Sequence, residues 1–278
     1  MAPYGMCQPA EYKKIRNGKE SSHRLFCCPA GIAAERTGRL AAKEQKNGRK
    51  IIWCGSRPGD PELLTLKALR LIRETTVIAV PGSDVQSSVA YQIVKGAYEE
   101  LDEKTLLPVA MPMTKDPAVL EANHQRAAAD VETYLKQGEN VVFLTLGDPT
   151  VYSTYLYVHK RILARGYEAE IVSGITSFCA VAARLNMGLV EREEPLHVIP
   201  ATYQAGEMDQ ILQLPGTKVL MKTGRKMAQV RESIQKSGQQ AVMIENCGMP
   251  GEKIYEGAEN LPEKSGYYSL IIVKGEQV

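Results

Sequence analysis

Three short stretches carry the residues best suited to chemistry. They are "GSRPGDPELL" (residues 55–64), "LGDPTVYS" (residues 146–153) and "SGITS" (residues 173–177). A carboxylate at a strand tip, such as Asp148, can accept hydrogen bonds from ribose hydroxyls or from an ammonium group. It is equally suited to capping the helix that follows. Thr176 and Ser177 stand at the start of a helical pattern. Their hydroxyls and backbone amides can take a carboxylate, or simply cap the helix. Asp60 and Glu62 oppose phosphate binding, because acids at a helix start repel an anion there. The 55–64 stretch matches neither the dinucleotide fingerprint nor the Gly-Lys-Ser/Thr phosphate loop, so ATP and NAD are disfavoured. Basic residues gather in "MKTGRKMAQVR": Lys222, Arg225, Lys226 and Arg231. They read as a solvated face or as a clamp for carboxylates.

Other chemistries lack support. The histidines are His23, His124, His159 and His197; His124 and His159 lie in predicted helices with no second His or Cys at i+3 or i+4. No protein-bound metal is expected. No G-x-S-x-G stretch occurs, and no cysteine has an evident histidine partner, which leaves nucleophilic catalysis unsupported. The cysteines (Cys7, Cys27, Cys28, Cys54, Cys179, Cys247) show no C-x-x-C spacing and read as free thiols in a reducing compartment.

These residues need elements to hold them. "KIIWCGS", "TVIAVPG", "TLLPVAMPM", "NVVFLTLGD" and "EAEIVSG" are short apolar runs and read as strands. Between them lie the amphipathic patterns "PELLTLKALRLIRE", "SSVAYQIVKGAYEEL", "AVLEANHQRAAADVETYLKQG" and "STYLYVHKRILARG". "TSFCAVAARLN" is a further helix, with Thr176 at its start. Alternation of this kind predicts a parallel sheet covered on both faces. Ligands of such sheets sit beyond the carboxyl ends of the strands. The loops "GSRPGD", "PGS", "GDPTVYS" and "SGITS" are therefore expected to face one crevice. After Arg192 the pattern gives five more strands and two helices, a second α/β unit with a mixed sheet whose last strand is "YYSLIIVKG".

The chain has 278 residues, a formal net charge of +2 and 24% charged residues. Two domains are the expectation at this length. So small a net charge gives no ground for a nucleic-acid surface. No apolar run approaches the roughly 20 residues of a membrane helix, and the first residues lack the apolar core of a signal peptide, so a cytoplasmic protein is expected. Residues 1–49 are basic and unpatterned and read as a flexible extension.

The motifs occur in a specific order. "GSRPGDPELLTLKALRLI" resembles the opening motif of the tetrapyrrole methylases, G-x-G-P-G-D-P-x-L-L-T. "LTLGDPTVYS" resembles their G-D-P motif, and "VSGITSFCAVAARL" their next loop. The resemblance runs from about Lys50 to Lys274. "GDPTVYSTYLYV", "IENCGMPGEKI" and "YYSLIIVK" look like the methyltransferases that act at C20 of precorrin-2 or cobalt-factor II in cobalamin biosynthesis.

The resemblance implies a fold of two α/β domains, residues 50–173 and 174–278, with the active site in the trough between them. It implies S-adenosyl-L-methionine as methyl donor, a tetrapyrrole substrate and a homodimer. Pro58, Leu146, Gly147, Asp148, Val151, Thr176, Ser177, Met221 and Cys247 match cofactor-contacting positions. Arg57, Lys222 and Arg225 are candidates for meeting the substrate's carboxylates. Asp148 and Tyr152 are weak candidates for the base. Arg57 stands where the family has Gly, which either adds a substrate contact or crowds the loop. Rival readings are methylation at another ring carbon or of uroporphyrinogen, the related histidine-modifying enzyme of elongation factor 2, and a non-catalytic cofactor-binding protein.

Overall fold

The computed structural model describes residues 13–16, 19–22, 50–56, 59–112, 114, 116–201 and 205–275. Residues 1–45 and 46–278 form two compact units. In the first, strands β1 (Lys13–Arg16) and β2 (Lys19–Ser22) pair antiparallel. The expected flexible extension otherwise lies outside the described residues, as do Arg57, Pro58, His23, Cys7, Cys27 and Cys28.

The second unit begins with β3 (Lys50–Ser56), β4 (Val77–Pro81), β5 (Thr105–Val109), β6 (Val141–Leu146) and β7 (Glu168–Val172). Every pairing among them is parallel, in the order β5-β4-β6-β3-β7. Side chains alternate across a strand, and here the alternation sorts them into two cores. Ile51, Trp53, Val141 and Phe143 point to one face. Ile52, Cys54, Val142 and Leu144 point to the other. Helices α1 (Leu66–Glu74) and α2 (Val89–Ala97) cover the second set, burying Ala68, Leu71, Ile72, Ala90 and Val94. Helices α3 (Pro117–Gln137) and α4 (Leu156–Ala164) cover the first. Trp53 stacks on Phe143 with centroids 4.7 Å apart, an arrangement contributing about 0.5–1.5 kcal/mol beyond burial. This is the doubly covered parallel sheet that the apolar runs predict.

One element differs from expectation. The helix expected from Pro61 to Glu74 is broken. Asp60 accepts from the Glu62 amide (3.0 Å) and starts a short 3₁₀ turn, Pro61–Leu63. Leu64 is then extended, and Thr65 caps α1 afresh through the Ala68 amide. Two successive side-chain caps make two helical pieces, because each cap holds its own residue in non-helical geometry.

Helix α5 (Ser177–Arg184) follows β7 but packs on a second sheet. That sheet contains β8 (Leu196–Pro200), β9 (Thr217–Met221), β10 (Gln240–Glu245), β11 (Lys253–Glu256) and β12 (Ser269–Lys274), in the order β11-β10-β12-β9-β8. It is mixed: β8 and β9 are parallel, and the other pairs are antiparallel. Val181 and Ala182 of α5 pack with Val219, Leu270 and Ile272 on one face. Helices α6 (Ala205–Leu212) and α7 (Met227–Ser237) cover the other face. The last strand, β12, sits in the middle of its sheet. Being antiparallel to β9 and β10, it brings its first residues to the edge where those strands end.

Candidate active site

Strands β3, β6 and β7 converge at glycines. A Cβ on Gly55 would lie 2.3 Å from the Gly147 carbonyl oxygen and 2.8 Å from the Gly174 Cα. No side chain fits between the three loops, so their backbones meet directly. Three of the four loops expected at one crevice are thus in contact or adjoining. The fourth, "PGS" at Pro81–Ser83, does not line the pocket described next, and neither does any described residue of "GSRPGD".

That pocket lies between the two sheets. From the first come Leu146, Gly147, Asp148, Val151 and Tyr152; from α5 come Thr176, Ser177, Ala180 and Val181. The second sheet contributes Met221 and Lys222 at the end of β9, Ile244 and Cys247 at the end of β10, and Tyr267 to Leu270 at the start of β12. All eight expected cofactor positions that are described therefore line one cavity, as do Lys222 and Tyr152. Arg225 does not. It is exposed on the 3₁₀ turn Thr223–Lys226 beyond Lys222.

Asp148 is buried and both of its oxygens are engaged. Oδ1 accepts from the Thr150 amide (2.8 Å) and the Thr150 hydroxyl, and Oδ2 accepts from the Gly174 amide (3.0 Å). It does not cap a helix, since α4 begins at Leu156 with Tyr155 as its N-cap. Asp148 instead closes its own loop and ties it to the loop after β7.

Thr176 behaves differently. It is the N-cap of α5 but makes no side-chain cap bond. Thr176 lines the pocket, and its Oγ1 is enclosed and has no partner among the described residues. A hydroxyl in that condition costs about 1–3 kcal/mol unless something else bonds it. Thr176, Ser177 and Ser269 bring hydroxyls to the pocket lining, and Val151, Ala180, Val181, Met221 and Ile244 bring apolar surface. That combination fits a ligand with a polar chain and a flat apolar ring, such as S-adenosylmethionine.

Tyr152 and Lys222 close one side. Both have left-handed backbones (φ 50° and 61°), uncommon for residues with side chains. The Tyr152 hydroxyl donates to the Val198 carbonyl (3.0 Å) on β8, and Lys222 Nζ lies 5.4 Å from the Tyr152 ring centre.

Sequence reasoning passed over Tyr267, Tyr268 and Ser269 as site residues. Their only signal was two tyrosines at the start of an apolar strand. The half-buried Tyr155 lies near Tyr267 and Tyr268, and burial first, then those tyrosines, raises its pKa. Among the described residues no group of three His, Cys, Asp or Glu is placed to hold a metal, and no helix is long and apolar enough to cross a membrane. The described histidines are structural in their contacts. His124 stacks on Tyr157 at 4.8 Å, His159 meets the Trp53 edge, and His197 Nε2 contacts the Pro215 carbonyl.

Comparison with known proteins gives the family. The model of the tetrapyrrole (corrin/porphyrin) methylases matches residues 50–261. A probable cobalt-precorrin-2 C(20)-methyltransferase of Methanocaldococcus jannaschii is 35% identical over 232 residues, covering 81% of this chain and 96% of that protein. The cobalamin biosynthesis protein CobIJ of Mycobacterium tuberculosis is 33% identical over 238 residues, 82% of this chain; the chain spans about half of that protein's length, 47%. In fold, the chain is similar to uroporphyrin-III C-methyl transferase of Thermus thermophilus complexed with S-adenyl homocysteine, with a TM-score of 0.59, 21% identity, and coverage of 82% of this chain and 97% of that one. Motif order, paired α/β sheets and the glycine-lined crevice agree with these matches, and the chain belongs to the tetrapyrrole (corrin/porphyrin) methylases.

Proposed function

We propose that the protein transfers a methyl group from S-adenosyl-L-methionine to C20 of precorrin-2 or cobalt-factor II, a step of cobalamin biosynthesis. The observation that carries the reading is the enclosed Thr176 hydroxyl, without a partner among the described residues, on a residue that lines the pocket. The relatives whose printed names give this activity, and the three ordered motifs, support it. The domains are residues 50–173 and 174–278, with residues 1–49 as an extension and the site in the trough between the domains. On the same family reading the protein is a cytoplasmic homodimer.

When bound, S-adenosylmethionine supplies an electrophilic methyl on a sulfonium sulfur. The chain's own residues provide placement. Thr176 and Ser177 bond the polar chain, Met221 and Cys247 flank the adenine, and Pro58, Leu146, Gly147 and Val151 complete the wall. Asp148 holds the two loops in register, through the bonds to Thr150 and Gly174. Lys222, Arg225 and Arg57 meet carboxylates of the tetrapyrrole. Any cobalt arrives inside the substrate. Holding two reactants in line with water excluded supplies on the order of 7–11 kcal/mol, which suffices without a covalent intermediate. The base that takes the C20 proton is unassigned.

The test is an anaerobic assay with S-adenosylmethionine and either precorrin-2 or cobalt-factor II, the product read by mass and NMR. One added methyl at C20 is expected. A methyl at another carbon overturns the position and favours another ring methylase. No turnover with normal cofactor binding favours the non-catalytic reading, and Arg57→Gly is then the variant to assay.

A further inference from the structure

The wall made by Tyr152 and Lys222 has a second side. The same two residues line a shallower, more open pocket outside the main one, with Ser153, Thr154, Tyr157 and Lys160. No acidic side chain lines it. Its donors come from separate elements. Lys160 is exposed on α4, one turn beyond Tyr157, and Lys222 reaches in from the loop after β9. Ser153 Oγ is enclosed and has no partner among the described residues. The start of α4 adds the positive end of the helix dipole; its Leu156, Tyr157 and His159 amides already donate to the carbonyls of Ser153, Thr154 and Tyr155.

The walls are held in place. Tyr157 is stacked on His124, which is buried. Tyr152 is anchored on Val198. Lys222 has a left-handed backbone, and its Nζ lies 5.4 Å from the centre of the Tyr152 ring. Two ammonium groups, several hydroxyls and no carboxylate make a receptor for a carboxylate. Only the thickness of Tyr152 and Lys222 separates it from the cavity assigned to the cofactor.

We propose that this outer pocket docks a peripheral carboxylate arm of the tetrapyrrole, with Lys160 as a specificity-determining residue that sets the ring's rotation over the inner pocket. The proposal rests on the methyl-transfer reading of that inner pocket. Lys160 supplies charge, Ser153 and Thr154 supply hydrogen bonds, and Tyr152 with Lys222 forms the partition over which the arm bends.

The experiment compares full-length wild type, Lys160→Gln and Lys160→Arg in steady-state methyl transfer at low and high NaCl. S-adenosylhomocysteine binding to each is measured by calorimetry. Lys160→Gln is expected to raise the tetrapyrrole KM roughly five- to tenfold at low salt, with kcat for C20 methylation reduced less. The difference should shrink as salt screens the charge. Lys160→Arg should restore most of the KM, and S-adenosylhomocysteine affinity should be equal in all three. A Lys160→Gln variant with the wild-type KM, or with a loss that salt does not change, overturns the assignment alone. A wild type that neither binds nor methylates the tetrapyrrole overturns the functional reading, and this assignment with it.

Discussion

Gly59 and Gly248 are in backbone contact across the trough. A Cβ on Gly59 would lie 2.3 Å from the Gly248 carbonyl carbon and 2.3 Å from the Cys247 carbonyl oxygen. The loop that opens the first α/β sheet is therefore pressed against the loop after β10 of the second, beside pocket residue Cys247. Gly59 also has a φ of +92°, which side chains avoid.

Replacing Gly59 by Ala tests how far that contact sets the site. Both the left-handed backbone and the clash oppose the methyl group, so a loss of about 2 kcal/mol or more is expected, a fall in Tm of about 4 °C or more for a chain of this size. S-adenosylhomocysteine affinity should fall as well, because Cys247 is displaced. Calorimetric melting and titration measure the two effects. An unchanged Tm would mean that the loops part at no cost.

Asp148 accepts three hydrogen bonds, and Asn can reproduce only some of them. In Asp148→Asn the new amide group must meet either the Gly174 N–H or the Thr150 N–H, donor against donor. The expected loss is about 1.5–3 kcal/mol of stability, the range for bonds to a charged group. Cofactor affinity should drop with it, because the loops after β6 and β7 lose their tie. Chemical denaturation checks the first and calorimetry the second. Lost affinity at unchanged stability would instead make Asp148 a direct cofactor ligand.

Tyr152→Phe separates anchoring from proton transfer. The hydroxyl is bonded to the Val198 carbonyl, and the ring stays beside Lys222 without it. Loss of one neutral, exposed hydrogen bond should cost about 0.5–1.5 kcal/mol at most, with kcat falling only a few-fold. A drop of about a thousandfold in kcat would show that the hydroxyl handles the C20 proton.

Glu170 gives a pH signature away from the site. Hydrogen bonds from Lys50 and then Lys67 bring its carboxyl down from 4.5 to about 2. A depressed folded pKa contributes stability that is present above pH 4.5 and is lost as pH falls toward 2. The advantage of wild type over Glu170→Gln should therefore be full at pH 6 and should shrink between pH 4.5 and 2. The pair is partly exposed, so its size should be small and reduced by salt. Melting curves of both proteins across that window check it. A constant difference would remove Glu170 as the cause.

The elements were legible in the chain because their signals are local. "IIWC" within "KIIWCGS" is an unbroken apolar run, as a strand buried on both faces requires, and the stretch is β3. Gly138 closes α3 with a left-handed backbone, as its place after Gln137 implies. Asp148 and Thr176 were legible as crevice residues from their places at a strand tip and a helix start, whereas Met221 and Cys247 were legible only by their resemblance to a family. Taken singly, each is equally at home as a cap or as core.

What the sequence alone determined about this protein is its order of strands and helices, the crossed-over parallel sheet, the mixed second sheet and the motif order that marks the family. What only the tertiary structure decided is which of these residues meet. Strand β12 enters the middle of its sheet, and that long-range pairing carries Tyr267, Tyr268 and Ser269 to the pocket. Arg225 follows Lys222 by three positions, yet Lys222, at a left-handed turn, lines the pocket and Arg225 does not. Asp148 is turned inward by the Gly174 amide, 26 residues away. Periodicity records which face a side chain takes. The partner opposite it is set by strand order, backbone handedness and close packing of distant loops, and none of these leaves a mark on neighbouring residues in the chain.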